Sequence, residues 1–376
     1  MVEVISHEAR RPVVDPGPAD RVGVRPADLN DPTDLTGPED PGTLPPVTVI
    51  LPTLNERAFL RDCLDSLAAQ DYPHIIEILV IDGRSTDGTR EIASEFGHPV
   101  RLVDNAKVSA AAALNVGWVS ARGEVVVRAD AHALYAPDYV RRCIDVLLET
   151  GADDVGGPMR AVGTSVFGRA VAAVTSSPFG VGPGRFHYSQ DREDVDTVYL
   201  GCYRRATLAA LGGWDEAGLQ WAAEDHELNF RLTRMGSRIV LDPTIRSWYF
   251  PRDTWRGLAR QYRNYGTGKV STLAKHRALP SWRPLAPPLM VACCVGAAIV
   301  GVAARRPALA CVPLATYALG AGAASAAIAR DPGVSAPHAF VVFTTCHWAY
   351  GVGFWRGLWR VARRRGFDAR PRGGTR

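Results

Sequence analysis

The sequence predicts an α/β protein with a mostly parallel sheet, followed by C-terminal apolar helices long enough to cross a membrane. Three observations carry this. Short β-branched runs alternate with helix-period segments from residue 47 to residue 130, the order that puts helices on both faces of a parallel sheet. Acids and amides follow several of those runs, at the strand ends where ligands collect in such sheets. From about residue 284 the chain turns apolar, with two charge-free stretches of roughly 20 residues, a bilayer-spanning length.

The elements follow in order. Residues 1–46 hold nine Pro, and nine acidic side chains against four Arg, with little to bury. They read as a disordered Pro/Asp-rich tail. Order begins at VTVILP (47–52). In NERAFLRDCLDSLAAQ (55–70), Phe59, Leu60, Cys63, Leu64 and Leu67 recur at helical spacing, with Asn55 placed as N-cap. IIEILVID (75–82) is a second strand, and DGTREIASEF (87–96) a second helix capped by Asp87. VRLVD (100–104), SAAAALNVGWVSA (109–121) and EVVVRAD (124–130) continue the alternation. Between 150 and 250 the pattern is mixed: DVGGPMRAV and VDTVYLGCYRR read as strands, EDHELNFRLTRM (224–235) as a helix. Residues 253–275 are basic and aromatic, either an amphipathic helix at a membrane surface or an ordinary surface helix.

LAPPLMVACCVGAAIVGVAA (285–304) and ALACVPLATYALGAGAASAAIA (308–329) are the two charge-free runs. AFVVFTTCHWAYGVGFW (339–355) is a shorter third stretch that carries His347. Trp348, Tyr350, Trp355 and Trp359 suit an interfacial belt, and the tail from Arg356, with eight Arg against one Asp, suits a cytoplasmic surface. A buried helical hairpin in a soluble protein is the other reading. Keeping domain and tail on one side requires an even number of crossings. Two are therefore expected, with the third stretch in the interface or re-entrant. The expected location is the plasma membrane, multi-pass, with the folded domain cytoplasmic and no nucleic-acid partner. Seven Cys without a CxxC pair agree with a reducing compartment. The N-terminus has no apolar core of the kind a cleaved secretion signal needs.

The chemistry sits at strand ends. In VVVRADAHAL (125–134) an apolar run gives way to Asp130 and His132. Residues i and i+2 of an extended chain project to the same side, so this pair can share a divalent cation. A turn Asp followed by a helix-entry His is the alternative. PTLNE (52–56) follows the first strand and IDGRSTDGT (81–89) the second. There Asp82 is placed to accept from a base N–H and Glu56 from ribose hydroxyls. Lys107, one of three lysines, can pair with a phosphate or stand in solvent. EDHEL (224–228), near Trp221, opens a helix with carboxylates. These either complement the helix dipole, or supply in Asp225 a general base for an acceptor hydroxyl.

Taken in order, VTVILPTLNE, VIDGRSTDGT, ALN (113–115), GEVVVRADAH and ED (224–225) resemble the landmarks of family 2 glycosyltransferases of the GT-A fold, a Rossmann-like, mostly parallel sheet. More narrowly, RADAHA, VGGPM (155–159), SSPFGVG (176–182), VDTVYLGCYRR and YFPR (249–252) resemble the succinoglycan-biosynthesis ExoA branch. The resemblance covers 47–250 and implies a GT-A domain there; composition adds a membrane-interface segment over 251–283, two or three membrane helices over 284–356 and a basic tail over 357–376. The resemblance implies that Asp82 contacts the nucleobase, with Pro52, Thr53 and Glu56 lining the nucleoside pocket. Asp130 matches the first acid of the family's D-x-D motif, at the diphosphate. His132 stands where the second acid, the usual ligand of Mg²⁺ or Mn²⁺, would be. Asp225 matches the catalytic base, with Glu224 beside it. In QYRNY (261–265), Asn264 and Tyr265 replace the Arg-Trp of the Q-x-x-R-W motif of processive synthases, which points to transfer of a single sugar.

The expected function is that of a membrane-bound, inverting, metal-dependent hexosyltransferase. It would carry a sugar from a nucleotide sugar, expected to be a UDP-sugar, to a lipid-linked acceptor in cell-surface polysaccharide or glycolipid synthesis. A polyprenyl-phosphate sugar synthase shares every motif. A non-catalytic nucleotide-binding scaffold is the alternative of another class.

Overall fold

The computed structural model describes residues 44–182, 184–216, 224–277 and 283–368. Nearly all of the acidic tail, Trp221 and the last residues of the basic tail lie outside the described residues. In chain order the first half runs β1 (Val47–Thr53), α1 (Leu60–Ala68), β2 (Ile75–Asp82), α2 (Thr89–Glu95), β3 (Val100–Asp104), α3 (Ala110–Ser120) and β4 (Val125–Arg128). Then come β5 (Ala133–Tyr135), α4 (Tyr139–Thr150), β6 (Asp154–Gly157), β7 (Met159–Ala161), α5 (Val166–Thr175), α6 (Pro178–Val181), β8 (Glu193–Asp194), β9 (Tyr199–Arg204), α7 (Arg205–Leu211) and α8 (Glu224–Arg234). The chain continues through β10 (Ile239–Leu241), β11 (Ser247–Tyr249), α9 (Trp255–His276), α10 (Ala286–Ala303), α11 (Ala308–Ile328) and α12 (Ala336–Asp368).

The central sheet has the order β3-β2-β1-β4-β9-β6-β10-β8. Its first four strands are parallel, in a register that aligns Thr53 with Asp82, and Asp82 with Asp104. The helices between them act as crossovers. Alternation then divides each strand between two cores. Val47, Val49 and Leu51 of β1 join Ile78 and Val80 of β2 in the core under α1 and α4. Ile50 joins Leu79 and Ile81 in the core under α3 and α8. Antiparallel β9 inserts between β4 and β6, pairing Val127 with Cys202 and Val155 with Cys202. A small sheet, β5-β11-β7, begins with the strand that follows β4.

Several local expectations shift. Asn55 is not a helix cap: α1 starts at Leu60, and Asn55 is left-handed at φ 57°. Its N–H donates to Ser85 Oγ, and its side-chain oxygen accepts from the Thr86 N–H, so 55–59 is tied to the next strand-end loop instead of entering the helix. Asp87 stands one residue outside the α2 cap, Gly88, yet accepts from the Thr89 N–H and hydroxyl. Asp130 and His132 do not lie on extended chain. Ala133 N donates to Asp130 O at 3.2 Å, so the pair occupies a turn between β4 and β5.

The C-terminal part is helical. α10 and α11 are charge-free, apolar and long enough to cross a membrane, and most of their side chains face outward rather than into the protein. Val302 and Leu319 are 80% and 76% exposed, a surface that suits lipid. The third apolar stretch lies within α12, a 33-residue helix that is not a candidate span. Its Ala339, Val342, Phe343 and Cys346 are buried against Ala170, Val171 and Val174 of α5 and Leu258 of α9. Glycine lets α9 and α12 touch at the backbone. A Cβ at Gly266 would stand 2.1 Å from Tyr350 O, and one at Gly353 2.1 Å from Arg263 O.

Candidate active site

The parallel strands end at one edge, and the polar residues that follow form a connected surface there. Asp82, the last residue of β2, is fully buried. Its carboxylate accepts from Ser85 N (2.9 Å), Ser85 Oγ (2.5 Å), an Arg90 guanidinium N–H (2.8 Å) and Thr53 Oγ1 (3.4 Å). Those donors fill the carboxylate's acceptor capacity. A nucleobase would reach Asp82 only by displacing one of them, the Thr53 hydroxyl being the most weakly held. Pro52 is half-buried in β1, and Thr53 is buried beside it.

Glu56 is mostly buried and meets His132, with Oε1 and Nδ1 3.3 Å apart. The approach lacks hydrogen-bond geometry, so His132 Nδ1 is a buried polar atom without a hydrogen-bond partner. Its ring lies edge-on to Tyr249, 5.3 Å between centroids. Lys107 is instead surface-exposed and donates to Glu216 at 2.6 Å, which in turn accepts from Asn115 at 2.8 Å.

The carboxyl end of β4 supplies the centre. Arg128 is buried, and its guanidinium donates to Asp130 (3.2 Å), to Glu224 (3.4 Å) and to Asp225. Burial alone would push its pKa down; the Asp130 and Glu224 carboxylates reverse that and hold it above the ordinary value. Trp214 Nε1 also donates to Asp225, at 3.4 Å. Asp130 and the E-D pair, nearly 100 residues apart in sequence, thus meet around one cation, while His132 turns to Glu56 and Tyr249. Sequence reasoning missed Arg128, although it is the single charge in the apolar run VVVRA.

α8 presents Glu224 and Asp225 at its first turn and is fixed by Glu227 one turn on. Glu227 is fully buried and accepts from Arg231 (2.8 Å), Lys275 (2.6 Å) and His276 (2.9 Å). Burial would raise its carboxyl pKa, but the Arg231 and Lys275 hydrogen bonds hold it below the usual range. α9 forms the facing wall. Gln261 donates to Tyr249 Oη (3.3 Å) and Tyr265 Oη (2.8 Å), and Lys269 donates to His226 Nε2.

No group of three or more His, Cys, Asp and Glu among the described residues forms a ready metal cage. Two features nevertheless fit a divalent cation held jointly with a substrate. One guanidinium against three carboxylates leaves the cluster short of positive charge, and His132 Nδ1 is an unused donor atom. Mg²⁺-type sites commonly take one or two protein ligands and complete the shell with substrate phosphates and water.

The Glycosyl transferase family 2 model matches residues 48–204. The chain is 33% identical over 324 residues to the succinoglycan biosynthesis protein ExoA of Rhizobium meliloti (strain 1021), covering 84% of this chain and 96% of that relative. It is 25% identical over 240 residues to the dolichyl N-acetyl-alpha-D-glucosaminyl phosphate 3-beta-D-2,3-diacetamido-2,3-dideoxy-beta-D-glucuronosyltransferase of Methanococcus voltae, covering 61% of this chain and 74% of the relative. Among solved structures it is similar to the mannosyltransferase PcManGT from Pyrobaculum calidifontis in complex with GDP-Man and Mn²⁺. There the TM-score is 0.53 at 25% identity, over 85% of this chain and 89% of that one.

Proposed function

The chain belongs to glycosyltransferase family 2, as an ExoA-like member, and on that premise we propose that it is a membrane-bound, inverting transferase of single hexoses. The donor is a nucleotide sugar and the acceptor a lipid-linked saccharide at the cytoplasmic face of the plasma membrane. One observation carries the reading: Arg128 gathers Asp130, at the end of β4, and Glu224 and Asp225, at the start of α8, into one cluster.

In this reading the nucleoside lies over Pro52, Thr53 and Glu56, with the base toward Asp82 and the diphosphate toward Asp130 and His132. Asp130 and His132 would hold Mg²⁺ or Mn²⁺, which would supply positive charge to offset that of the leaving diphosphate. Asp225 takes the proton from the acceptor hydroxyl, and Glu224 and Arg128 hold it in place. Attack from the face opposite the leaving group inverts the anomeric carbon. Lys107 lies at the phosphate end once released from Glu216. The α10–α11 hairpin crosses the membrane twice and brings α9 to its surface. Asn264 and Tyr265 in place of Arg-Trp support transfer of one sugar. The base is expected to be uracil, whereas the PcManGT complex contains GDP-Man, so both nucleotides belong in the test.

The test is transfer of label from a panel of UDP- and GDP-[¹⁴C]hexoses by membranes expressing the wild-type chain or Asp225→Asn. Wild type should place label in the organic phase, and Asp225→Asn should not. Equal label from both would remove Asp225 as the base, and label confined to water-soluble polymer would remove the lipid acceptor.

A further inference from the structure

The two lysines of α9 are treated differently by the fold. Lys275 donates to Asp215 at 2.8 Å and to Glu227 at 2.6 Å, an ordinary paired cation that ties α9 to α8. Lys269 is half-buried, and its hydrogen-bond partner among the described residues is His226 Nε2, an uncharged acceptor. The acid whose charge favours its ammonium is Asp196, an exposed residue not hydrogen-bonded to it among the described residues. An ammonium has three N–H donors, so two of them lack an acceptor within the described protein. Burying a cation without a counter-charge is costly. Burial lowers the pKa of Lys269 to about 8, and burial, with Lys269 beside it, lowers His226 to about 3.

The place of this cation says what would balance it. His226 directly follows Asp225, so Lys269 touches the residue next to the base. Gln261, Tyr265 and Lys269 recur every four residues, a spacing that lines one face of a helix over about 12 Å. Gln261 donates both to Tyr265 and to Tyr249, which packs on His132. The same helix meets α12 at Gly266 and Gly353. An anion balancing Lys269 would therefore sit against the first turn of α8, on the helix that leads in sequence to the apolar hairpin. A phosphoryl group carrying a lipid tail on one side and a sugar on the other has that arrangement.

We propose that Lys269, oriented by His226, is the phosphoryl subsite of the lipid-linked acceptor. The two free ammonium N–H groups donate to non-bridging phosphate oxygens while Asp225 faces the hydroxyl of the attached sugar. This rests on the glycosyl-transfer reading and sharpens it: the acceptor is short, its reacting sugar close to the lipid phosphate. His226 and Lys269 act by positioning and take no part in proton transfer.

The experiment uses the full chain in detergent micelles at pH 7. Tryptophan fluorescence reads binding of undecaprenyl diphosphate and of uncharged undecaprenol, and calorimetry reads UDP and GDP with Mn²⁺. Wild type should bind the diphosphate about ten- to a hundredfold tighter than the alcohol, the range of a charged hydrogen bond. Lys269→Met should lose that preference and Lys269→Arg should keep most of it, with nucleotide affinity the same in all three. A wild-type preference retained by Lys269→Met overturns the proposal. So does a wild type that binds both lipids equally, and so does a Lys269→Met chain that loses nucleotide but keeps the lipid preference. Failure of the wild type to bind either nucleotide would instead strike the glycosyl-transfer reading, whatever the lipids do.

Discussion

At the ends of β1 and β2 the polar groups are locked to one another, whereas in the wall formed by α8 and α9 Lys269 has no charged hydrogen-bond partner among the described residues. Asp82 accepts from four donors, two on Ser85 of the loop that follows it, one on Thr53 of β1 and one on Arg90 of α2. Lys269 has a single uncharged partner among the described residues. A satisfied network is rigid and specifies one geometry. An unbalanced charge next to an apolar domain suits a ligand that brings its own charge and its own tail. Arg128, at the end of β4, pairs with Asp130 beyond its own strand and with Asp225 of α8.

That contrast can be broken at five points. Asp225→Asn removes the proposed base and should lower turnover by about 10²–10⁴-fold, with UDP or GDP affinity unchanged by calorimetry. Arg128→Met leaves three acids facing one another. The loss should be about 3 kcal/mol in thermal unfolding, the low end for a broken buried pair because Asp225 is 33% exposed, and Mn²⁺ should restore part of it. Gly353→Ala forces a Cβ against Arg263 O across the α9–α12 contact. It should cost about 2 kcal/mol by overpacking and loosen lipid binding more than nucleotide binding.

Glu227→Gln should cost about 1 kcal/mol and flatten the acid limb of stability. A carboxyl held below its unfolded pKa contributes stability that is present above that value and is lost as pH falls through the folded one. In urea unfolding, wild type should therefore weaken more than the variant as pH drops below about 4.5. The smallest effect is on the α9 cation. Lys269 titrates near 8 between His226 of α8, neutral above about 3, and the Asp196 carboxylate. Raising pH from 7 to 9 should cut the preference for phosphorylated lipid by up to about tenfold, and Lys269→Arg should abolish that pH dependence.

The parallel half of the fold was legible because its strands are short, β-branched and punctuated by helix-period segments, a pattern that calls for a parallel sheet with right-handed crossovers. The antiparallel insertion of β9 was not. VYLGCYRR reads as a strand, but nothing within it says that it pairs with Val125–Val127 rather than with a sequence neighbour. Family and fold were readable from the ordered motifs, and both are borne out. The site residues were named without their partners. Asp130 and Asp225 were visible as acids at element ends, but their meeting depends on Arg128, whose charge inside an apolar run was the available signal. The Lys269–His226 contact joins residues 43 apart on two helices, and spacing within either helix cannot report it. The third apolar stretch looked like a membrane element because composition alone does not separate lipid from protein as the partner of an apolar face; α5 and α9 cover part of it here.

The most direct test of the central claim is calorimetric titration of UDP and GDP into the detergent-purified chain, first with Mn²⁺ and then with EDTA, for wild type and His132→Ala. The account predicts that one nucleotide binds wild type with Mn²⁺, and that binding falls sharply in EDTA and in His132→Ala. Binding of equal strength in Mn²⁺, in EDTA and in the variant would contradict a metal and diphosphate site at Asp130 and His132. Absence of binding by either nucleotide in every condition would contradict the donor site altogether.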